Sequence, residues 1–157
     1  MIRVLFICHG NICRSPMAEF LFRDLLIKKG LHRDFFVASA ATSREEIGNG
    51  VYPPAKKKLS SLGIDCSDKT ARQVTKQDYE AFDYLLVMDE YNNKNLMRIL
   101  SDDPQKKVYR LLDFSSRPRD IADPWYTGNF DITQGDIMEG LEAFLAFVIS
   151  HHLQQNT

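Results

Sequence analysis

Cysteine is scarce in this chain, with three residues, Cys8, Cys13 and Cys66, an odd number in no framework spacing. That argues against a disulfide-built secreted scaffold and for a reducing cytoplasm. Cys8 and Cys13 have no matching downstream pair, so no zinc-type ligand set is written in the chain, and neither metal nor cofactor is expected. An excess of charge of one sign is also missing: 20 Lys and Arg face 21 Asp and Glu, for a net charge of -1. A nucleic-acid or anionic-membrane partner is therefore not expected. No apolar run is long enough to span a bilayer, and the segment before Cys8 is too short for a signal-peptide core. The nucleotide phosphate loop, Gly-x4-Gly-Lys-Ser/Thr, is absent, as are repeats and low-complexity tracts. What is present, 157 residues with 44% hydrophobic and 26% charged content, describes a single globular domain over 1–157.

Short apolar runs alternate with helical patterns. Strands are expected at Ile2–Cys8, Phe35–Ser39, Tyr84–Asp89 and Lys107–Leu112. Helices are expected between them, the first capped by Ser15 with Pro16 next and Gly30 past its end. A second runs from Pro54 to Leu62, closed by Gly63. Thr75-Lys76-Gln77-Asp78 has the spacing of a capping box, Glu90 to Leu100 is helical, and Asp131 can cap a last helix from Ile132 to about His152. Lys56-Lys57-Lys58 reads as a solvated helix face. This alternation predicts an α/β fold with a parallel sheet and helices on both faces. Ligands of such sheets bind at the carboxyl ends of the strands, where Cys8, Ser39, Asp89 and the loop after Leu112 fall.

The chemistry concentrates in Cys8-His9-Gly10-Asn11-Ile12-Cys13-Arg14-Ser15, between the first strand and the first helix. A tight loop before a helix N-terminus aims backbone N–H groups at one spot and makes an anion site. A planar guanidinium at Arg14 can hold two phosphoryl oxygens at once, which Lys cannot. Gly10 lets the backbone approach closely and take unusual dihedrals, and Asn11 tolerates the left-handed region. Cys8, beside the helix N-terminus and Arg14, has surroundings that bring cysteine pKa values to roughly 3.5–7.5. Such a thiolate is a nucleophile for covalent catalysis, and a Ser15 hydroxyl on the sulfur makes it a better leaving group. A cysteine after a strand is, on its own, more often a small core residue. Cys, five residues, Arg and Ser, with Gly and Asn inside, is far more specific.

Cleaving a phosphate ester also requires a proton for the departing oxygen. Asp123-Pro124-Trp125-Tyr126 supplies the best acid, because Pro124 holds Asp123 extended and the two aromatics can desolvate its carboxyl. The same group can then act as base toward water. Asp120 and Asp89 compete for this part, Asp89 with the alternative of holding a neighbouring loop.

Together these residues resemble the low-molecular-weight protein tyrosine phosphatase family. The resemblance covers nearly the whole chain. It rests on Cys8 to Pro16, Ser39-Ala40-Ala41-Thr42-Ser43, Ile47-Gly48-Asn49, Ala71-Arg72-Gln73-Val74-Thr75, Met88-Asp89-Glu90 and Asp123-Pro124-Trp125-Tyr126. It implies an α/β three-layer fold whose four-stranded parallel sheet has the flavodoxin-like order 2-1-3-4, with Cys8 as the nucleophile, Arg14 the phosphate clamp and Asp123 the general acid, without metal. It implies a phosphate-binding loop of His9, Gly10, Asn11, Ile12, Cys13, Arg14 and Ser15, ordered by Asn11, Ser15 and Ser39. Glu45, Trp125 and Tyr126 fall at the pocket rim. Cys13 matches the family's second loop cysteine, which implies a reversible Cys8–Cys13 disulfide protecting the nucleophile; the plainer reading is a small packed loop residue. The implied partners are phosphotyrosine protein substrates and a cognate tyrosine kinase, and the chain is expected to be a monomer or weakly self-associating. Four positions depart from animal members: His9 replaces Leu, Glu45 an aromatic wall residue, Lys69 a histidine, and Trp125 the first of two tyrosines. An arsenate reductase on the same fold and a non-catalytic phosphate-binding module are the competing functions; the former needs further downstream cysteines, and only Cys66 is there.

Overall fold

The computed structural model describes residues 1–155. The expected domain limit at Thr157 lies outside them. Four strands, β1 (Ile2–Cys8), β2 (Phe35–Ala41), β3 (Tyr84–Val87) and β4 (Val108–Arg110), form one sheet in the order β2-β1-β3-β4. Every pairing is parallel, with Cys8 opposite Ala41 and Ile7 opposite Val87. This is the expected 2-1-3-4 topology.

Six helices connect or cover the strands: α1 (Arg14–Lys28), α2 (Pro53–Ser61), α3 (Lys76–Ala81), α4 (Glu90–Leu100), α5 (Pro124–Thr127) and α6 (Phe130–Gln155). Alternate β1 side chains leave opposite faces of the sheet, as a two-residue period requires. Val4, Phe6 and Cys8 join α1, α2 and α6 through Met17, Phe22, Leu59, Leu141 and Phe144. Leu5 and Ile7 join α3 and α4 through Tyr79, Leu96 and Leu100. Covered on both faces, β1 must be apolar at nearly every position, which is why its sequence reads as a continuous run. Phe22 is a hub of the larger core, with its ring centroid 5.7 Å from each of Phe6, Phe35 and Phe144.

The boundaries differ from the expected ones for local reasons. Ser15 does not cap α1; Cys13 occupies that place, and Ser15 lies inside the first turn with its hydroxyl turned to the loop. Strand β2 runs on to Ala41, and α2 starts one residue early at Pro53. Strand β3 stops at Val87 because Asp89 caps α4, its Oδ1 accepting from the Asn92 N–H at 2.7 Å. Strand β4 is only three residues because Leu111–Phe114 closes into a 3-10 turn, with Asp113 accepting from the Arg110 N–H at 2.9 Å. Asp131 is not the cap of α6: Asn129 accepts from the Ile132 N–H at 3.1 Å, and Asp131 pairs with Lys58 instead. Lys58 is thus tied down rather than simply solvated. The capping box at Thr75 and Asp78 is formed as expected.

Helix α6 packs on the 3-10 turn through Gly140, where an added Cβ falls 2.5 Å from the buried Leu111 Cγ. Alanine gains about 1 kcal/mol over glycine in a free helix, but here it must push Leu111 off its packing. Gly140→Ala is expected to lower stability by about 1–3 kcal/mol net, read as a fall in denaturation midpoint.

Candidate active site

The loop from Cys8 to Arg14 leaves the central strand β1 beside its neighbours β2 and β3, at the carboxyl end of the sheet. It floors a cleft of about 500 Å³ lined by Cys8, His9, Gly10, Ile12, Cys13 and Arg14. Glu45, Glu46, Asp89, Tyr91, Asp123, Trp125 and Tyr126 form the rest of the wall. Residues from both ends of the chain therefore meet in one pocket. Asn11, Ser15 and Ser39 lie behind it, buried. Asp120 is not among the lining residues; it pairs with Arg110 and accepts from the Glu90 N–H.

Asn11, not Gly10, takes the left-handed backbone, at φ 58°. A Cβ at position 10 would meet the Glu46 side chain at 3.4 Å, an ordinary contact, so space alone does not require glycine there. The turn at Asn11 aims its N–H at the Cys8 sulfur, at 3.3 Å, and Ser15 Oγ lies 3.0 Å from the same sulfur. The Asn11 side chain donates to Ser15 Oγ at 2.8 Å and to Ser39 Oγ at 2.9 Å, while its Oδ1 accepts from the Arg72 N–H at 3.2 Å. Asn11, Ser15 and Ser39 are therefore joined in one buried hydrogen-bond network behind the loop.

Arg14 is buried, and one of its terminal nitrogens is fully committed. Nη1 donates to Asp89 Oδ2 and to the Ile121 carbonyl, each at 2.7 Å, and Nη2 sits 3.6 Å from Asp123 Oδ2. Burial works against its charge, but Cys8, Asp89 and Asp123 outweigh it, so the guanidinium pKa is raised. Asp89 thus has two jobs, capping α4 and orienting Arg14. The sequence offered an acid between a strand and a helix, and a capping pattern at that place was the available signal for it.

Asp123 is one-quarter exposed and caps α5, its Oδ1 accepting from the Trp125 N–H at 3.0 Å. Trp125 and Tyr126 stand at the rim but remain 53% and 84% exposed, so they do not enclose the carboxyl as expected. Trp125 leans on Tyr52, at 4.8 Å between ring centroids. The segment that carries Asp123 is pinned from behind. Arg119 forks onto Asp136 at 2.8 Å and Glu139 at 2.9 Å, which draws the Glu139 carboxyl down to about 2. The Ile121 N–H donates to the Met88 carbonyl at 2.9 Å.

On the far wall, His9 Nε2 lies 3.0 Å from Glu45 Oε2, so two departures from the animal pattern meet each other. Cys13 is a free, buried thiol whose pKa is pushed up to about 12 by burial first and by neighbouring Cys8 and Asp123 next. Glu46 and Tyr91 were not anticipated; both are reached only through the fold. Among the described residues, no group of three or more His, Cys, Asp or Glu could hold a metal ion, and no helix is long and apolar enough to cross a membrane.

The profile of the family "Low molecular weight phosphotyrosine protein phosphatase" matches residues 3–156. The low molecular weight protein-tyrosine-phosphatase YfkJ of Bacillus subtilis is 42% identical over 150 residues, 94% of this chain and 96% of that protein. The human low molecular weight phosphotyrosine protein phosphatase is 40% identical over 145 residues, 82% of each chain. The crystal structure of YfkJ superposes with a TM-score of 0.90 at 41% identity, covering 96% of both chains. This chain belongs to the low-molecular-weight protein tyrosine phosphatase family.

Proposed function

We propose that this protein hydrolyses phosphotyrosine and other aryl phosphates through a cysteinyl-phosphate. The observation that carries the reading is the meeting of the Cys8 sulfur, the Arg14 guanidinium and the Asp123 carboxyl in one cleft. Arg14 Nη1 is already engaged, so Nε and Nη2 are the donors that take the phosphoryl oxygens, with the loop amides around them. Cys8 attacks phosphorus as the thiolate, and the bond to the aryl oxygen breaks. Asp123 gives its proton to that oxygen. Asp123 then takes a proton from water as the water attacks phosphorus; the P–S bond breaks and inorganic phosphate leaves. The sulfur departs as a thiolate bonded by Asn11 and Ser15.

Three further readings accompany this proposal. Under peroxide, a Cys8 sulfenic acid condenses with the Cys13 thiol to a disulfide and water. All three cysteines are free, which suits a reducing cytoplasm. The partners are phosphotyrosine proteins and the tyrosine kinase that makes them, met by a monomeric or weakly associating enzyme. The assay that tests the core reading is hydrolysis of p-nitrophenyl phosphate and of phosphotyrosine and phosphoserine peptides at mildly acidic pH. Turnover of the aryl esters with little on phosphoserine is expected; no turnover of either aryl ester sinks it. Thiol-dependent arsenate reduction, run in parallel, separates the arsenate reductase.

The rim also bears on peptide choice. Beyond Arg14 the lining carries no Lys or Arg, while Glu45 and Glu46 project along one wall. Basic residues flanking the phosphotyrosine are therefore favoured at low salt. The ratio of kcat/KM for lysine-flanked over aspartate-flanked peptides is expected to exceed unity, and to fall about 3–10-fold in a Glu45→Gln, Glu46→Gln double variant.

A further inference from the structure

The acid-bearing stretch, residues 115–123, lies in no strand or helix, so individual bonds must hold it. Two of them fasten Ile121: its N–H donates to the Met88 carbonyl, and its carbonyl accepts from Arg14. The next peptide, from Ala122 to Asp123, carries the acid's own Cα. Its carbonyl lies 3.3 Å from Oγ1 of Thr133, a buried residue near the start of α6. That hydroxyl also lies 3.2 Å from the Asn129 carbonyl, one turn back. The Asn129 carbonyl has the Thr133 N–H as well, at 3.4 Å, whereas among the described residues the Ala122 carbonyl has the hydroxyl alone.

The same helix grips the stretch a second time. Arg119 forks onto Asp136 and Glu139, one and two turns beyond Thr133. Glu139, its carboxyl drawn down to about 2 by Arg119 first and Ser115 next, keeps that fork charged at mildly acidic pH. Within this mount the Ala122–Asp123 peptide matters because it is planar and rigid: holding its carbonyl sets the direction in which the Asp123 Cα leaves it. Pro124 restricts Asp123 from the other side, and the Trp125 N–H holds one carboxyl oxygen. The Thr133 bond completes the fixing on the incoming side.

We propose that Thr133 is a positioning residue: its hydroxyl holds the Ala122–Asp123 peptide and thereby aims the Asp123 carboxyl at the departing aryl oxygen. This rests on Asp123 serving as the general acid. Proton transfer needs donor and acceptor within hydrogen-bond reach, and a misplacement of about 1 Å costs on the order of 10²-fold. A peptide that is loosened rather than moved costs less. The rival arrangement is a threonine bonded only to its own helix, a common habit of the residue that touches nothing in the cleft.

The test is a series of aryl phosphates of graded leaving-group basicity, read as kcat/KM. Thr133→Val keeps the shape and removes the proton. With it, kcat/KM is expected to fall about 3–10-fold on phenyl phosphate and less than about twofold on p-nitrophenyl phosphate. Thr133→Ser keeps the hydroxyl and should hold near wild type. In an Asp123→Asn background, Thr133→Val should add less than about twofold on phenyl phosphate. An unchanged series in folded Thr133→Val overturns the proposal, as does an equal loss on every leaving group, or an equal loss with and without the Asp123 carboxyl. A Thr133→Ser enzyme as impaired as Thr133→Val overturns it too, because packing and not the hydroxyl would then be at work. Should Thr133→Val not fold, Thr133→Ala is read against Thr133→Ser by the same outcomes. An Asp123→Asn series no steeper than that of the wild type defeats the acid reading instead, a separate result.

Discussion

Cys8→Ser is expected to abolish turnover on every aryl phosphate while leaving orthophosphate or vanadate binding measurable by calorimetry or by a shift in melting temperature. The two halves of this result come from different atoms. Attack on phosphorus needs an anionic, polarisable sulfur, and a serine hydroxyl in the same place stays protonated in a pocket whose wall carries four carboxyl groups, Glu45, Glu46, Asp89 and Asp123. Oxyanion binding depends on Arg14 and the loop backbone. Arg14 is held by Asp89 and the Ile121 carbonyl, and the turn by Asn11, none of which contacts the Cys8 side chain for its position except through the Asn11 N–H. Losing a covalent nucleophile removes the path itself, so a loss of at least about 10⁴-fold is expected. Retained turnover in a clean preparation would remove Cys8 from the mechanism.

Asp123→Asn is expected to lower kcat/KM about 10²–10⁴-fold on substrates with poor leaving groups and far less on p-nitrophenyl phosphate. Asparagine keeps an oxygen for the Trp125 N–H, so the cap of α5 and the run of the loop survive. What is lost is the proton. A leaving group of low basicity departs without one, whereas a phenolate of ordinary basicity does not. A plot of log kcat/KM against leaving-group pKa should therefore steepen. Water attack on the thiophosphate is common to all substrates, so its share of the loss appears as a uniform drop in kcat. Equal losses in kcat/KM along the series would take the acid role from Asp123.

Most of the architecture could be read in advance because it depends on near neighbours. Strand β1 announces itself by an unbroken apolar run, the capping box at Thr75 by a fixed spacing, and the phosphate loop by residue types with few other uses together. Most missed boundaries turn on local caps and turns, but at the start of α6 a tertiary partner decided: Lys58 drew Asp131 away and Asn129 took the cap. The same limit applies inside the site. That Cys8, Arg14 and Asp123 would share a cleft followed from strand ends and loop positions. That Asp89 would orient Arg14, that Glu45 would meet His9, or that Lys69 would enter the core beside Glu19 did not, because each joins segments set side by side only by the sheet and its crossovers. Gly10 was read as a residue of unusual backbone, and that freedom is used by Asn11, whose own side chain then finds Ser15, Ser39 and Arg72.

The bond from Arg14 to the Ile121 carbonyl has a kinetic meaning. It joins the floor of the cleft to the backbone two residues before the acid, and the Ile121 N–H is fastened to β3's outgoing chain at Met88. An acid mounted this way does not swing in over its substrate as a door would. On the proposed mechanism each encounter finds the Asp123 carboxyl already at the cleft, and bond making at phosphorus, not a closing gate, is expected to limit throughput.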